Sequence, residues 1–178
     1  MSNNQDVTVY QGRLLKLVTK RFTIKGIDID AEIIRHPGAV VIAATHDDEY
    51  FYLVSQLRFA PNETLLEFPA GKLEYGEDPF EAAKRELEEE IGFKANVWED
   101  LGSILSAPAF LDERLYLYYA TDLEYFGQNL DDDEDLTVKK YSINELEDMV
   151  SNNTLQDAKT IVLLYKLIKY LKSKEKVL

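Results

Sequence analysis

The residue types best suited to chemistry in this sequence are the glutamates just before residue 91. Glu86 and Glu90 are four residues apart, which places them on one face of a helix, and Glu89 lies beside them. Like charges at this spacing repel and also oppose the negative end of the helix dipole. A bound divalent cation would reverse both penalties, and clustered carboxylate oxygens suit magnesium or manganese. The alternative interpretation of the same pattern is a solvated acidic face.

A helix with well-marked ends must carry these glutamates. Asp78 is suited to cap its start, Pro79 suits its first position, and Glu81 completes the pattern of a capping box. Gly92 supplies the left-handed residue that commonly ends a helix. The apolar residues between these ends recur at helical spacing and predict the buried face: Phe80, Ala83, Leu87 and Ile91.

The spacing across residues 71–93 resembles the signature of a known family. Gly71 is followed by five residues and Glu77, then by seven residues and Arg85-Glu86-Leu87, Glu89-Glu90 and Gly92-Phe93. This pattern resembles the Nudix box of hydrolases that cut nucleoside diphosphates linked to another group, and every defined position is filled. The resemblance implies an α/β fold, the Nudix α/β/α sandwich with a mixed sheet. The lead-in Glu-Phe-Pro-Ala-Gly at 67–71 is similar to that of the ADP-ribose pyrophosphatase and nucleotide-sugar branch.

The resemblance also implies a metal site and catalytic residues. The ligands of Mg2+, with Mn2+ as a substitute, would be the carbonyl oxygen of Ala70 and the carboxylates of Glu86, Glu89 and Glu90. We interpret Gly71 as the residue whose backbone freedom turns that carbonyl inward. Arg85 would hold the glutamates through a charge-assisted hydrogen bond to Glu77 or Glu89.

A further catalytic carboxylate is expected in the acidic loop that precedes the predicted strand at 137–141. The family places such a residue in this loop, and the spacing makes Glu134 the first choice and Asp132 the second. The alternative is that these acids form only solvated surface. The catalytic candidates are therefore Glu134, Glu89 and Arg85.

Other segments supply candidates for substrate binding. Arg58 ends a predicted strand and could bind a diphosphate through two hydrogen bonds; a surface arginine paired with a carboxylate is the alternative. Glu67 is expected to bind substrate or to stabilise the loop. Residues 106–113 resemble the Ser-Pro-Gly-x-x-Asp-Glu segment of ADP-ribose pyrophosphatases, with an inserted Ala107 and with Ala109 in place of glycine. The candidates are Arg58, Glu67, Arg35, Phe22, Leu73, Pro108, Asp112 and Glu113.

The first 35 residues read as a separate block of strands, at 7–10, 13–19, 22–24 and 27–34, with a hairpin at Lys25-Gly26. In the ADP-ribose pyrophosphatase branch such an extension forms a small sheet used in dimerisation, so the resemblance implies a homodimer. Phe22 in this block is a candidate for stacking on a nucleotide base. We predict one Nudix domain over residues 1–178, with an N-terminal antiparallel β extension at 1–35 and the Nudix core at 36–178.

The core pattern predicts strands at 39–44, 50–57, 95–98, 101–105, 115–120 and 137–141. A short helix should begin after Ser142, and the last helix should begin at Thr154 or Asp157. The last helix has a wide apolar face and is assigned no chemistry.

Composition narrows the class of protein. With 46% hydrophobic and 30% charged residues, the 178-residue chain is typical of a soluble globular protein. It contains no apolar run of membrane-spanning length and no signal segment at its start, so a cytoplasmic location is expected. The absence of cysteine excludes disulfides and thiolate chemistry. A net charge of −13 argues against nucleic-acid binding and requires cations or placed arginines to attract an anionic substrate.

The expected reaction is metal-dependent hydrolysis of the diphosphate bond of ADP-ribose or a related nucleotide sugar. The products would be a nucleoside monophosphate and a sugar phosphate. The alternatives are a hydrolase specific for another nucleotide sugar such as GDP-mannose, a nucleoside triphosphate pyrophosphohydrolase, and a non-catalytic ligand sensor.

Overall fold

The computed structural model describes residues 5–13, 15–130 and 136–175. Over these residues the chain forms ten strands and three helices. The strands are β1 (Val7–Gln11), β2 (Lys16–Ile24), β3 (Ile27–Arg35), β4 (Ala39–Thr45), β5 (Tyr50–Arg58), β6 (Glu63–Glu67), β7 (Ala70–Lys72), β8 (Phe93–Leu105), β9 (Arg114–Tyr125) and β10 (Leu136–Ser142). The helices are α1 (Pro79–Ile91), α2 (Ile143–Ser151) and α3 (Ala158–Glu175). None of the helices in the described ranges is long and apolar enough to span a membrane.

The N-terminal block is an antiparallel sheet in the order β1-β2-β3. Its predicted hairpin is confirmed: Lys25 and Gly26 have φ angles of 54° and 79°, the pair of positive values that a two-residue type I′ turn requires. The division into strands at 13–19 and 22–24 was wrong. β2 is one strand, because its pairing with β3 runs without interruption from Lys16 opposite Arg35 to Ile24 opposite Ile27.

The second sheet is mixed and carries helices on both faces. Its order is β10-β5-β4-β9-β8, with β6 paired to β5 and β7 paired to β4. β4 and β9 are parallel and the other pairs are antiparallel. Alternate residues of β4 enter different cores: Val41 packs with α2 and α3, whereas Val40 packs with α1. All of β4 is therefore buried, and the expected α/β/α arrangement with a mixed sheet is confirmed.

The strands predicted at 95–98 and 101–105 are one strand, β8. Its register with β9 shifts between Asp100 and Ser103, where Gly102 has a φ of 86°. This irregularity interrupts the alternation of side chains but not the pairing of the strand, so the pattern suggested two strands.

Helix α1 begins and ends where the sequence predicts. The Asp78 carboxylate accepts hydrogen bonds from the backbone N–H groups of Phe80 (2.9 Å) and Glu81 (3.3 Å), and Gly92 follows the helix with a φ of 76°. Ala83, Leu87 and Ile91 are buried against the sheet, as their spacing predicted. The caps and the apolar face together fix which side of α1 carries the glutamates.

Candidate active site

The Arg85 guanidinium lies at the centre of the glutamate cluster. Its Nε and Nη2 donate to the two carboxylate oxygens of Glu77 at 3.0 and 3.1 Å. Its Nη1 donates to Glu86 at 2.8 Å and to Glu89 at 2.9 Å. The expected bonds to Glu77 and Glu89 are therefore both present, and Glu86 is a third acceptor. The hydrogen bonds with Glu77 and the charge of Glu86 outweigh burial and raise the pKa of Arg85, so the guanidinium remains charged.

Glu86 and Glu90 are buried, with only 7% and 2% of their surface exposed. Glu90 Oε2 accepts a hydrogen bond from the backbone N–H of Ala70 at 2.9 Å, which joins helix α1 to the segment before Gly71. Ala70 and Glu90 are both predicted metal ligands. This bond therefore fixes the distance between two parts of the predicted metal site.

Gly71 is required by space rather than by backbone conformation. It is not among the described residues with positive φ, so the interpretation based on backbone freedom does not explain it. A Cβ at this position would lie 1.8 Å from the Glu86 carboxyl carbon and 2.0 Å from each of its oxygens. The glycine therefore leaves the room in which the Glu86 carboxylate lies.

A later segment covers the C-terminal end of α1. The backbone N–H groups of Phe126 and Gly127 donate to the carbonyl of Gly92 at 2.8 and 3.2 Å, and that of Asn129 donates to the carbonyl of Glu89 at 3.1 Å. The side-chain amide of Gln128 donates to the carbonyl of Glu90 at 2.5 Å. These donors satisfy carbonyls at the C-terminal end of α1 that would otherwise lack partners. Sequence reasoning missed this contact.

Arg58, Glu67 and Lys159 form a partly buried ion network beside the cluster. Glu67 is 1% exposed, and its two oxygens accept from Arg58 Nε at 2.7 Å and Nη2 at 2.6 Å. Lys159 of α3 contacts the same carboxylate. Burial alone would raise the pKa of Glu67, but Arg58 and Lys159 outweigh it and lower that pKa. Lys159 was missed because it lies 92 residues from Glu67 in the sequence.

Arg35 and Asp112 lie together at the end of β3. Arg35 Nε and Nη2 donate to Asp6 at 2.9 and 2.8 Å, and its Nη1 donates to Asp112 at 2.8 Å. Asp112 also accepts from the backbone N–H of His36 at 2.8 Å, and Glu113 lies 3.5 Å from the His36 ring. The segment after β8 is therefore attached to the N-terminal sheet.

The remaining substrate-binding candidates occupy different environments. Pro108 lies in a turn in which Phe110 and Leu111 both donate to the carbonyl of Ala107. Phe22 is exposed on the N-terminal sheet. The Leu73 side chain is buried in the core beside α1, where it packs against apolar residues. Glu134 and Asp132 lie outside the described residues.

The charge of the site is strongly negative. Three carboxylates, those of Glu77, Glu86 and Glu89, contact the guanidinium of Arg85, and the buried carboxylate of Glu90 lies one helical turn after Glu86. Within the described ranges, no three histidine, cysteine, aspartate or glutamate side chains form a complete metal-binding group. Glu86 and Glu89 point oxygens at Arg85 instead. The donor set is nevertheless all oxygen and carries excess negative charge, which fits a hard divalent cation.

Comparison with known proteins decides the family. Residues 34–164 match the NUDIX domain. The chain belongs to the NUDIX family. This NUDIX protein is 33% identical over 170 residues to the ADP-ribose pyrophosphatase of Bacillus subtilis (strain 168), covering 94% of this chain and 90% of that protein. It is 35% identical over 157 residues to the methanol dehydrogenase activator of Bacillus methanolicus, covering 86% and 85% of the two chains.

A solved structure agrees with these relatives. The crystal structure of an ADP compounds hydrolase superposes on the NUDIX protein with a TM-score of 0.85 at 25% identity, covering 96% of this chain and 93% of that one. The resemblance drawn from residues 67–93 and the fold it implied are both confirmed.

Proposed function

We propose that this NUDIX hydrolase cleaves the diphosphate bond of ADP-ribose or a related nucleoside diphosphate sugar, with a divalent cation bound. The observation that carries the proposal is the complete family signature, in which Arg85 contacts Glu77, Glu86 and Glu89 and in which Glu86 and Glu90 are buried. The relative from Bacillus subtilis, named an ADP-ribose pyrophosphatase, matches over nearly the whole chain and supports this substrate class. The products are a nucleoside monophosphate and a sugar phosphate.

Glu86, Glu89, Glu90 and the carbonyl oxygen of Ala70 are proposed to hold Mg2+, or Mn2+ in its place. NUDIX enzymes generally use divalent metal ions. A cation bound there neutralises the charge of the diphosphate and lowers the pKa of a coordinated water. Arg85 holds Glu86 and Glu89 against their mutual repulsion, and the bond from Ala70 to Glu90 keeps the peptide and the carboxylate together.

Glu134 is proposed to accept a proton from the attacking water. General-base assistance is typically worth about 10²–10⁴-fold in rate. Glu134→Gln should therefore lower kcat by this range with little change in substrate affinity, whereas Asp131→Asn should have little effect. Equal, small effects of the two changes would assign the loop to solvated surface.

The phosphates and the nucleoside are proposed to contact residues around the glutamate cluster. Arg58 is the candidate for the phosphates, because its guanidinium is close enough to Glu90 for that charge to help raise the Arg58 pKa, after the hydrogen bond with Glu67. The other candidates are Arg35 and Phe22 on the N-terminal sheet, and Pro108, Asp112 and Glu113 in the segment between β8 and β9.

The metal assignment is tested by a matched set of glutamine variants. Glu86→Gln and Glu90→Gln should each lower turnover of ADP-ribose by about 100-fold or more, since each removes a buried ligand charge. Glu88→Gln is the control, because Glu88 lies on the same helix but pairs with Lys94 at 3.2 Å, and its side chain is 40% exposed. Turnover that survives a chelator, or that is near normal in the Glu86 and Glu90 variants, would contradict the assignment.

A substrate panel separates the alternatives. ADP-ribose, GDP-mannose and dGTP should be compared under saturating magnesium, with the products identified by chromatography. The GDP-mannose pyrophosphatase of Cronobacter sakazakii is 26% identical over 152 residues, which keeps another nucleotide sugar as the second candidate. Failure to hydrolyse any diphosphate would favour a ligand sensor.

We also propose a homodimer formed through the N-terminal sheet, in a single-domain, cytoplasmic protein. Phe22 pairs with Ile29 and Ile24 with Ile27, so four exposed apolar side chains share one face at the tip of the hairpin. Ile24→Lys should produce monomers in light scattering. Thr23→Lys, on the opposite face, is the control. A wild-type protein that is monomeric at micromolar concentration would refute the dimer.

A further inference from the structure

The first turn of α3 holds the segment that leads into the glutamate cluster. The Thr160 hydroxyl accepts a hydrogen bond from the backbone N–H of Phe68 at 2.9 Å, and Lys159 contacts the carboxylate of Glu67. Asp157 fixes both of them: its Oδ1 accepts from Lys159 at 2.9 Å and its Oδ2 from the N–H of Thr160 at 2.9 Å. Helix α3 thus contacts residues 67–68, directly before the peptide that binds Glu90.

Glu67 is a buried carboxylate with two cationic partners of different exposure. The Arg58 side chain is 38% exposed, whereas that of Lys159 is 16% exposed. A buried charge left without a partner is strongly unfavourable, but one well-placed cation is enough to compensate a single carboxylate. The more exposed partner, Arg58, is therefore the one that can leave Glu67 without stranding its charge.

A bound diphosphate would compete with Glu67 for the Arg58 guanidinium. Its guanidinium uses Nε and Nη2 in a two-point contact with Glu67, which is the same pair of donors that suits a phosphate. A diphosphate bound beside Glu90 could accept hydrogen bonds from these two nitrogens in place of Glu67.

We propose that Lys159 is a positioning residue for substrate binding: it keeps the charge of Glu67 compensated while Arg58 turns to the diphosphate. This inference rests on the proposed function. Without Lys159, the departure of Arg58 would leave Glu67 buried and unpaired. Arg58 would then stay on Glu67, and the substrate would bind without it.

The predicted signature is a rise in KM with little change in kcat. Lys159→Met keeps the length and the apolar stem of the side chain but removes its charge, and should raise KM for ADP-ribose about 10-fold or more. The kcat should stay within about 3-fold, because the ion pairs of Lys159 are with Glu67 and Asp157 rather than with a proposed metal ligand. Lys159→Arg restores a cation and should return KM most of the way to the wild-type value.

Two further variants separate this role from simple support of the fold. Lys166→Met removes another lysine of α3, whose Nζ donates to the carbonyl of Leu101 at 2.7 Å, and it should leave KM unchanged. The double change Glu67→Gln with Lys159→Met removes the buried charge together with its remaining partner. Its KM should lie well below that of Lys159→Met alone, since Arg58 is then no longer held.

The experiment is steady-state hydrolysis of ADP-ribose at saturating magnesium by the full chain, these four variants and Glu67→Gln, with melting temperatures measured alongside. A Lys159→Met KM equal to wild type, a loss confined to kcat, or no recovery in the double variant would each overturn the inference. If Lys159→Met does not fold, the remaining variants decide. The double variant and Glu67→Gln alone should then have the same KM, because neither has a charge at residue 67 for Lys159 to compensate, and Lys159→Arg should stay close to wild type. A higher KM in the double variant than in Glu67→Gln would overturn the inference. An inactive wild-type protein would instead overturn the proposed function, and this inference with it.

Discussion

Substituting Gly71 by alanine should separate stability from activity. The added Cβ would lie 1.8–2.0 Å from the Glu86 carboxyl group, so the side chain of Glu86 must move. The movement is sterically easy, because Glu86 is flexible and Gly71 has no positive φ that alanine would strain. It would nevertheless carry a proposed metal ligand away from its place.

The size of the effect follows from the contacts. Moving Glu86 loses its charge-assisted bond from Arg85 Nη1, worth about 1.5–3 kcal/mol. Replacing glycine where alanine is not strained returns about 0.4–1 kcal/mol through the unfolded chain. The net loss of about 0.5–2.6 kcal/mol should lower Tm by about 1–10 °C in a chain of this size. Displacing a catalytic group by about 1 Å costs on the order of 10²-fold in rate.

The control is Gly76, a glycine in the turn after β7 with the opposite properties. Gly76 has a φ of 80° and open space around its Cβ position, so Gly76→Ala should cost about 1–2 kcal/mol of backbone strain without touching Glu86. Calorimetry and ADP-ribose turnover at saturating magnesium should show two variants of similar Tm, only one of which has lost activity. Near-normal turnover of Gly71→Ala would show that the position of the Glu86 carboxylate does not matter for catalysis.

Two further predictions concern stability. The pKa of Glu67 is lowered from its ordinary value of 4.5 in the folded protein, so its charge contributes stability above pH 4.5 that is lost as pH falls through the folded pKa. Denaturant unfolding should therefore show the advantage of wild type over Glu67→Gln shrinking in acid; an advantage that grows in acid would contradict the sign. Gly92→Ala should lower the unfolding free energy by more than about 2 kcal/mol, because it combines a φ of 76° with a Cβ only 2.7 Å from the backbone N of Gln128. Gly127→Ala, with φ of 102° and open space, should lose less in the same measurement.

Local sequence signals made helix α1, which carries the glutamates, predictable. Asp78, Pro79 and Gly92 lie next to the ends that they define, and the apolar face of α1 follows from a period of 3.6 residues. β4 and β9 of the mixed sheet were predicted for the same reason, since both contain apolar runs, whereas no strand was predicted at β6 or β7. Strand limits failed where pairing continued through an irregular pattern, as at Gly102.

The contacts that organise the site could not be read from the chain. Gly71 and Glu86 are far apart in sequence, and only their packing shows why a side chain at residue 71 is excluded. The same holds for Lys159 with Glu67 and for Gln128 with Glu90, which join segments 92 and 38 residues apart. A lysine in an amphipathic helix and a glutamine in a loop carry no pattern that marks them before the fold is known.

The cluster of four carboxylates and one guanidinium also bears on how fast substrate arrives. A diphosphate approaching this site in a chain of net charge −13 is repelled at long range, since only a few placed cations oppose the field. Dissolved salt screens that repulsion, with a Debye length of about 10 Å at 0.1 M. At saturating divalent cation, kcat/KM should consequently rise with ionic strength, the reverse of enzymes whose basic clefts draw anions in. Encounter in this protein would be fastest in a salty solution and slowest in a dilute one.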